Sequence, residues 1–357
     1  MLDNFKTYHT WYRRLAQIVP DKCETRLTNL TLLVVGLYHA GNVHLSAIVR
    51  KWPLAAKKLS LTRRLTRFLA NPAIDVRAWY RPVAERLVAP FAGAEVRLII
   101  DGSKVGFGHQ LLMVAIAYRR RALPLAWCWV KGSRGHSSPH KQLALLAYVR
   151  GLLPVKTCVL LVGDAEFGSV TVLRQLEKWH WRYVLRQPGN TLIKGGDKGR
   201  WRRFDSLVRS PGDMSWWTWS LLTAKWAHPT HLLAYWVQGE KEPWLLTTNL
   251  PQARLALQAY RRRMWIEETF GDLKGHGFDL EATHLRHFLR LSRLTLAVCY
   301  LYVWLVTLGS QVIKSGQRHL VDRRERRDLS LFRIGWDFVE RCLALQHTVQ
   351  VSFHAYL

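Results

Sequence analysis

The segment from Tyr260 to Lys274 carries side chains that could bind and cleave a phosphate ester. Four of its residues follow the spacing Tyr260-x2-Arg263-x3-Glu267-x6-Lys274. At about 100° per residue these offsets fall on one face of an α-helix. A carboxylate can hold a divalent cation, while an aromatic hydroxyl and two cations can hold phosphates. The alternative is a solvated helix in which Arg263 and Glu267 form an i,i+4 ion pair, worth a few tenths of a kcal/mol.

Two aspartates at the ends of predicted strands favour the catalytic alternative. Val96–Asp101 (VRLIID) and Thr157–Gly163 (TCVLLVG) are short apolar runs, and Asp164 follows the second. If these strands are neighbours and a helix packs across them, Glu267 meets both aspartates. Three converging carboxylates repel one another unless a cation lies among them, which is the arrangement of a two-metal phosphoryl-transfer site. Glu268 lies about 100° around the helix from Glu267, so we choose Glu267 as the third acid.

The elements that would position these acids change in type along the chain. Residues 1–90 indicate helices, whereas residues 91–187 indicate three strands, a helix, a strand, a helix and a strand. A Trp-rich, β-like segment (188–245) precedes the signature and a long apolar helix (246–312), and a basic helical region (313–357) follows. This order predicts an α/β fold with a ribonuclease H-like catalytic core, interrupted by a β-rich insertion and flanked by helical N- and C-terminal regions.

The charge of the chain predicts a polyanionic partner. Its 357 residues include 53 Lys and Arg against 25 Asp and Glu, a net charge of +28 spread over the whole sequence. Near the N-terminus, two short helices are predicted, and the second carries three basic residues outside its apolar stripe, namely Arg63, Arg64 and Arg67. The pair is compatible with a helix-turn-helix that binds DNA, and also with an ordinary helical bundle that has a solvated basic face.

Other features narrow the class of protein. The five cysteines are scattered and include no C-x2-C pair, which argues against a disulfide framework and against structural zinc. Leu294–Leu308 is strongly apolar but short for a membrane span, so it predicts a buried helix. The N-terminus carries Asp3, Lys6 and His9 before any apolar run, unlike a signal peptide. We therefore expect an intracellular protein that does not enter a membrane.

Three motifs resemble the DDE transposases of bacterial insertion sequences, in particular the "IS four" family to which the transposon-five enzyme belongs. They are LIIDGS around Asp101, LVGDAEFGS around Asp164, and YRRRMWIEETFGDLK from Tyr260 to Lys274. The last motif satisfies the family's Y-x2-R-x3-E-x6-K signature at every defined position. The resemblance covers about residues 95–310, with only loose similarity in the helical ends.

The resemblance implies a role for each matching residue. The catalytic residues, which bind two Mg²⁺ or Mn²⁺ ions, would be Asp101, Asp164 and Glu267. The residues that contact phosphates of the transposon end would be Tyr260, Arg263 and Lys274. Trp244 opens the apolar run PWLLTTNL and is similar to a family tryptophan that stacks on a flipped-out base. Trp244 has an alternative role, packing the insertion against the core.

The second motif departs from the family pattern. The family commonly has an arginine after this aspartate, whereas here the chain continues Asp164-Ala165-Glu166-Phe167. Glu166 could be an additional acid near the metal, but we expect it to face solvent.

The resemblance implies a cut-and-paste transposase that acts on double-stranded DNA as a homodimer on paired ends. It would nick one strand at each terminal inverted repeat, and the freed 3′-hydroxyl would attack the opposite strand to form a hairpin. After the hairpin is reopened, the 3′-hydroxyl would join target DNA. The expected location is the bacterial cytoplasm, on the nucleoid when DNA is bound. The alternatives are a catalytically silent DNA-binding protein descended from such an enzyme and a structure-selective nuclease on the same fold.

Overall fold

The N-terminal quarter of the protein is helical, as predicted. The computed structural model describes residues 2–106, 108–131, 137–196, 199–325 and 327–355. Before the first strand it contains α1 (Leu2–Ile18), α2 (Glu24–Ala40), α3 (Leu45–Arg50), α4 (Lys58–Ala70) and α5 (Val76–Val88). The predicted apolar stripe of α4 is buried. The side chain of Asp75 caps the start of α5. It accepts hydrogen bonds from the backbone N–H groups of Arg77 and Ala78, which would otherwise lack partners.

The following strands and helices have the predicted order. They are β1 (Glu95–Val105), β2 (His109–Tyr118), β3 (Arg121–Lys131), α6 (Pro139–Arg150), β4 (Cys158–Gly163), α7 (Val170–Lys178) and β5 (Arg182–Arg186). β1, β2 and β3 are antiparallel neighbours, whereas β1, β4 and β5 run parallel. The nearly continuous apolar run of β4 is typical of a parallel strand covered on both faces.

The register of β1 and β4 brings two acids to the same place. Ile100 of β1 pairs with Gly163 of β4 in the parallel ladder, so the next residue of each strand, Asp101 and Asp164, reaches the same part of the sheet. A Cβ atom at position 163 would lie 2.9 Å from the Ile100 side chain. Glycine therefore permits this close packing directly before the second acid.

The β2–β3 hairpin has an unusual turn. Tyr118 pairs with Arg121, and the two residues between them, Arg119 and Arg120, have φ angles of 43° and 65°. A two-residue turn with both φ angles positive normally contains Asn and Gly. A residue with a Cβ atom costs about 1–2 kcal/mol in this left-handed region of backbone conformation. The turn is therefore strained, and it exposes two arginines.

The β-rich insertion continues the central sheet. It contains β6 (Leu192–Lys194), β7 (Arg202–Arg203), β8 (Met214–Leu222) and β9 (His228–Tyr235), followed by β10 (Trp244–Thr248). β10 pairs antiparallel with both β5 and β9. The result is one ten-stranded sheet in the order β3-β2-β1-β4-β5-β10-β9-β8-β6-β7. Because β10 adjoins β5, the insertion lies next to the carboxyl ends of the parallel strands.

The remaining helices cover the sheet. They are α8 (Ala253–Tyr260), α9 (Met264–Leu273), α10 (Phe288–Lys314) and α11 (Leu331–Ala344). α10 is long and apolar enough to span a membrane, yet 89% of its most apolar window is buried inside the protein. The predicted buried helix is therefore confirmed. Arg293 of α10 donates hydrogen bonds to the backbone carbonyls of Leu69 and Ile74, which ties the N-terminal helices to it.

Two glycines let α10 and α11 cross closely. A Cβ atom at Gly309 would lie 2.0 Å from the carbonyl oxygen of Leu331, and one at Gly335 would lie 1.9 Å from that of Leu305. No side chain fits at either position, so the contact fixes how α11 packs on the central helix.

Candidate active site

Asp101 is a buried acid within β1, with 8% of its surface exposed. β1 continues to Val105, so the prediction that this strand ends at Asp101 was wrong. Its Oδ1 accepts a 2.7 Å hydrogen bond from the N–H of Gly102. Burial raises the pKa of Asp101 to about 7; the Arg263 guanidinium and the Gly102 N–H oppose the rise, while Asp164 and Glu267 add to it. The three predicted acids therefore lie within electrostatic reach of one another, and their mutual repulsion is only partly compensated.

Asp164 directly follows β4 and begins a 3₁₀ turn. Its Oδ1 is buried and has no hydrogen-bond partner within the described residues. The side chain lines an open cavity of about 440 Å³ together with Arg186 and Glu242. A buried carboxylate oxygen without a donor is costly, so Asp164 is the acid that most lacks a cation.

Arg263 joins the other two acids. Its Nη1 donates a 2.9 Å hydrogen bond to Oδ2 of Asp101, and its Nη2 donates to Oε1 of Glu267. Burial lowers the pKa of Arg263, but Tyr260 and the two bonded acids outweigh this effect and raise it on balance. The guanidinium is therefore a permanent cation between a buried aspartate and a glutamate that opens to solvent. The ordinary surface ion pair that we considered for Arg263 and Glu267 does not describe this arrangement.

Tyr260 and Trp244 lie side by side next to the acids. Tyr260 ends α8, and its buried hydroxyl has no hydrogen-bond partner in the described parts of the chain. Burial raises the pKa of Tyr260 to about 12, so the hydroxyl stays protonated. Trp244 begins β10, is half-buried, and packs its ring edge-on against Tyr260 with 5.1 Å between ring centroids. This contact provides a packing role for Trp244, and its predicted stacking on a base stays a prediction.

Lys274 departs from the predicted helix face. A 3₁₀ turn at Arg261–Arg263 separates α8 from α9, and α9 ends at Leu273. Lys274 lies beyond the helix, and its Nζ is 2.7 Å from Oε1 of Glu281. The prediction that all four signature residues share one continuous helix face was therefore wrong, because the chain turns at the glycines that follow Lys274. A contact between Lys274 and DNA stays a prediction.

Glu166 does not face solvent, so that expectation was also wrong. Its Oε1 accepts a 2.6 Å hydrogen bond from the N–H of Ser137, and its Oε2 accepts one of 3.0 Å from Gln110. Gln142 donates to the backbone carbonyl of Glu166. The side chain links the turn that carries Asp164 to β2 and to the start of α6. No local pattern indicates these partners, which are 24 to 56 residues away along the chain.

Glu268 points away from the acids, as expected. Its Oε2 lies 3.4 Å from Nη1 of Arg121, whose Nε donates a 2.7 Å hydrogen bond to Asp272. Burial raises the pKa of Asp272 to about 6, against the lowering effect of Arg121. The signature helix α9 therefore has two polar faces, with Glu267 on the acid side and Glu268 against the β2–β3 hairpin.

Arg186 is a residue near the site that our sequence prediction missed. It ends β5, beside the residues that end β4, and it lines the same cavity as Asp164. Its Nη2 lies 3.3 Å from Oε2 of Glu242. The run Trp181–Arg186 (WRYVLR) carries a signal for this position, because neighbouring parallel strands end at one edge of a sheet.

The three N-terminal arginines differ from one another in their surroundings. Arg63 and Arg67 are exposed and lie one turn apart on α4. Arg64 is half-buried, donates a 2.7 Å hydrogen bond to Oδ1 of Asn29, and lies over the Trp52 ring. Arg64 is thus held inside the helical region, whereas the other two can reach a partner. α4 packs against α2, α3 and α10.

The donor set fits a hard divalent cation, although its spacing does not yet form a site. Carboxylate oxygens suit Mg²⁺ or Mn²⁺, and the partnerless Oδ1 of Asp164 lacks a cation. Within the described residues, however, no three His, Cys, Asp or Glu side chains are grouped closely enough to hold a metal. Arg263 occupies one oxygen of Asp101 and one of Glu267. The side chains that would hold a metal are therefore Asp101, Asp164 and Glu267, once Arg263 releases them.

An acid triad beside the ends of parallel strands defines a class of enzymes that cleave or join phosphodiesters. The sequence model of one family of this class, described as "Transposase DDE domain", matches residues 94–304. The match spans more than half of the chain, so the protein belongs to the family of DDE transposases. Members of this family cleave and transfer DNA strands and generally use divalent metal ions, so DNA is the partner of this chain.

Comparison with solved structures gives a weak similarity. One solved structure that matches is the piggyBac transposase in a cryo-EM synaptic complex with hairpin DNA, with 11% sequence identity and a TM-score of 0.42. The alignment covers 98% of this chain and 78% of the other. A similarity of this size supports no inference about fold or function. No curated protein matches the sequence.

Proposed function

We propose that this protein is the cut-and-paste transposase of a bacterial insertion sequence of the "IS four" group. In this proposal residues 91–187 and 246–312 form a ribonuclease H-like core, and Asp101, Asp164 and Glu267 are its catalytic acids. The strand order β3-β2-β1-β4-β5, with the first three strands antiparallel and the last two parallel to β1, supports the assignment of the core.

The single observation that carries the proposal is the joint position of the three acids and Arg263. Two acids come from paired strands, the third comes from α9, and one arginine of the signature contacts two of the three. An arrangement that holds a buried aspartate at a pKa of about 7 opposes folding. Strain of this kind is typical of a site kept for its chemistry.

Each residue of the site would have its own role in the reaction on DNA. The three acids would hold two Mg²⁺ or Mn²⁺ ions, which supply an activated water and stabilise the leaving oxygen. Arg263, released from the acids, would pair with a phosphate, and the Tyr260 hydroxyl, protonated because its pKa is about 12, would donate to a phosphate oxygen. Lys274 would break its ion pair with Glu281 and contact the phosphate backbone of the transposon end.

The reaction would proceed in four balanced steps. Water attacks a phosphodiester at each transposon end and leaves a 3′-hydroxyl and a 5′-phosphate. The 3′-hydroxyl then attacks the opposite strand, which forms a hairpin and releases the other 3′-hydroxyl. Hydrolysis would reopen the hairpin and regenerate the 3′-hydroxyl. This hydroxyl would then attack a phosphodiester of the target DNA, join to its 5′-phosphate and release a target 3′-hydroxyl. Trp244, beside Tyr260, would stack on the base that is flipped out when the hairpin forms. A homodimer bound to paired transposon ends in the bacterial cytoplasm would carry out all four steps.

The test is cleavage of a DNA fragment that carries the element's terminal inverted repeat and its flank. The protein is incubated with end-labelled fragment and Mg²⁺, and products are resolved on a denaturing gel. We expect a nick at the repeat boundary followed by a hairpin, and neither product from a fragment with a scrambled repeat. Binding without cleavage in Mg²⁺ or Mn²⁺ would indicate a catalytically silent DNA-binding protein. Equal cleavage of fragments with an intact and a scrambled repeat would indicate a structure-selective nuclease.

A further inference from the structure

A basic cleft lies on the face of α9 that points away from the acids. It has a volume of about 860 Å³ and runs between the β2–β3 turn, one face of α9 and the connection from α10 to α11. Five arginines line it, namely Arg119, Arg120, Arg121, Arg318 and Arg327, against two acids, Glu268 and Asp328. A second cavity of about 300 Å³ shares Arg318 and Arg327 with it and adds Arg323 and Arg324. The two cavities therefore form one basic track.

The arginines of the cleft differ in whether an acid compensates their charge. Arg121 is held by Glu268 and Asp272, and Arg318 is held by Asp322. Arg119 and Arg120 are exposed, and neither makes an ion pair with any described residue. Both occupy backbone conformations that residues other than glycine rarely adopt. A strained turn that displays two unpaired cations is explained by a ligand rather than by packing.

The cleft is connected to the acid site through one residue. Met264 lines the cleft, and its sulfur lies 3.3 Å from Nη2 of Arg263, the atom that also contacts Glu267. At the other end, Ser330 and Leu331 place the N-terminus of α11 at the wall of the cleft. Helix N-termini favour anions. A chain of phosphates in the cleft would thus run along the signature helix as far as Met264, which contacts Arg263.

We propose that this cleft binds the phosphate backbone of a duplex DNA arm that leaves the acid site behind α9. The inference rests on the proposed function, and it adds a binding surface that includes none of the signature residues. An open cationic cleft does not suit a small apolar ligand, whose pockets are enclosed and mostly hydrophobic. Contact with the same cleft of a second copy is disfavoured because each cleft has five arginines against two acids.

The test compares two charge-matched variants for binding to a random-sequence duplex. Arg119→Gln with Arg120→Gln removes two charges from the cleft, and glutamine keeps the Cβ atom that each φ angle must accommodate. Lys156→Gln with Lys178→Gln removes two exposed charges that precede β4 and β5, and neither lysine lines the two basic cavities. Affinity is measured by fluorescence anisotropy between about 50 and 200 mM salt. Circular dichroism melting checks that both variants are folded.

The salt dependence gives the expected result. Each lost phosphate contact lowers the slope of log affinity against log salt by about 0.9, so the cleft variant should lose about 2 units of slope. The Lys156/Lys178 variant should keep the wild-type slope, and Arg119→Lys with Arg120→Lys should restore it. An equal change in both glutamine variants, or no change in the cleft variant, would overturn the inference.

A crosslink identifies the partner directly. The photoreactive residue p-benzoylphenylalanine, placed at position 120, should crosslink to DNA, whereas the same residue at position 156 should not. If position 120 crosslinks only to another protein chain, the cleft binds a protein and not DNA, and the proposal is overturned. If the wild type nicks repeat DNA but these results fail, only the cleft is wrong. If the cleft results hold and no DNA is cleaved, the proposed function is wrong.

Discussion

Nη1 of Arg263 lies 2.9 Å from Oδ2 of Asp101, in a hydrogen bond between a buried cation and a buried acid. The other terminal nitrogen of the same guanidinium contacts Glu267, so the arginine partly neutralises two acids that the proposed chemistry needs for a metal. Because an arginine cannot be deprotonated in a protein, the charge of Arg263 itself does not depend on pH. In the proposed function, metal binding displaces Arg263, which then becomes available to a DNA phosphate.

Replacing Arg263 should make folding depend on a divalent metal. In Arg263→Gln two acids lose their cation, and breaking a buried pair of this kind typically costs 3–5 kcal/mol. We expect a lower melting temperature in EDTA, and a rise on adding Mg²⁺ that is larger than the rise in the wild type. Arg261→Gln, which changes an exposed neighbour, is the matched control. Equal melting temperatures for Arg263→Gln and the wild type in EDTA would show that the arginine does not balance the acids.

The stability of the metal-free protein should fall as pH rises towards neutrality. Burial raises the pKa of Asp101 from 3.8 to about 7, so folding favours its protonated form. This contribution is fully present below about pH 4 and is lost as pH rises through about 7, with a size of a few kcal/mol. Thermal melts in EDTA across this range should show a wild-type loss that Asp101→Asn lacks. Parallel curves for the two proteins would contradict the assignment.

Trp244→Ala should separate nicking from hairpin formation. Nicking needs the acids and a positioned phosphate, so it should change only a few-fold. Hairpin closure expels a base from the stack, and without the indole it should slow by about 10- to 100-fold. Because Trp244 also packs on Tyr260, Trp244→Phe serves as a control that keeps an aromatic ring there. If both steps slow together on a denaturing gel, Trp244 has only the packing role.

The arginines of α4 should divide into two kinds. Arg63→Ala and Arg67→Ala should reduce the preference for terminal-repeat DNA over random DNA, because both side chains are exposed and available to a partner. Arg64→Ala should instead lower the melting temperature, since it leaves Asn29 without its hydrogen bond. Competition binding and thermal melts measure the two effects. Equal losses of affinity for repeat and random DNA in the exposed variants would reduce this region to a non-specific contact.

Much of the core was predictable because its signals are local. An apolar run marks each strand that carries or precedes an acid, although β1 continues past Asp101 to Val105. Ser138 with Pro139 marks the start of α6. The closeness of Asp101 and Asp164 follows from one parallel pair, β1 with β4. That pairing was inferred from the element order alone.

The sequence predicted less where long-range contacts decide the outcome. Glu166 is polar and follows an acid, so its sequence alone did not distinguish a solvated side chain from one bonded to Gln110 and Ser137. Lys274 had the right spacing, but the helix ends one residue before it. The continuation of the central sheet into the insertion depends on the pairing of β10 with β5, which no local pattern shows.

The most direct test of the account is strand cleavage by variants of the three acids. Asp101→Ala, Asp164→Ala and Glu267→Ala should each abolish Mg²⁺-dependent nicking of DNA that carries the terminal inverted repeat, while binding of the same DNA stays within a few-fold of the wild type. Glu268→Ala, which changes the adjacent acid on the other face of α9, should still nick. The account predicts no cleavage by the three variants together with cleavage by the control, and measurable nicking by Glu267→Ala would contradict it.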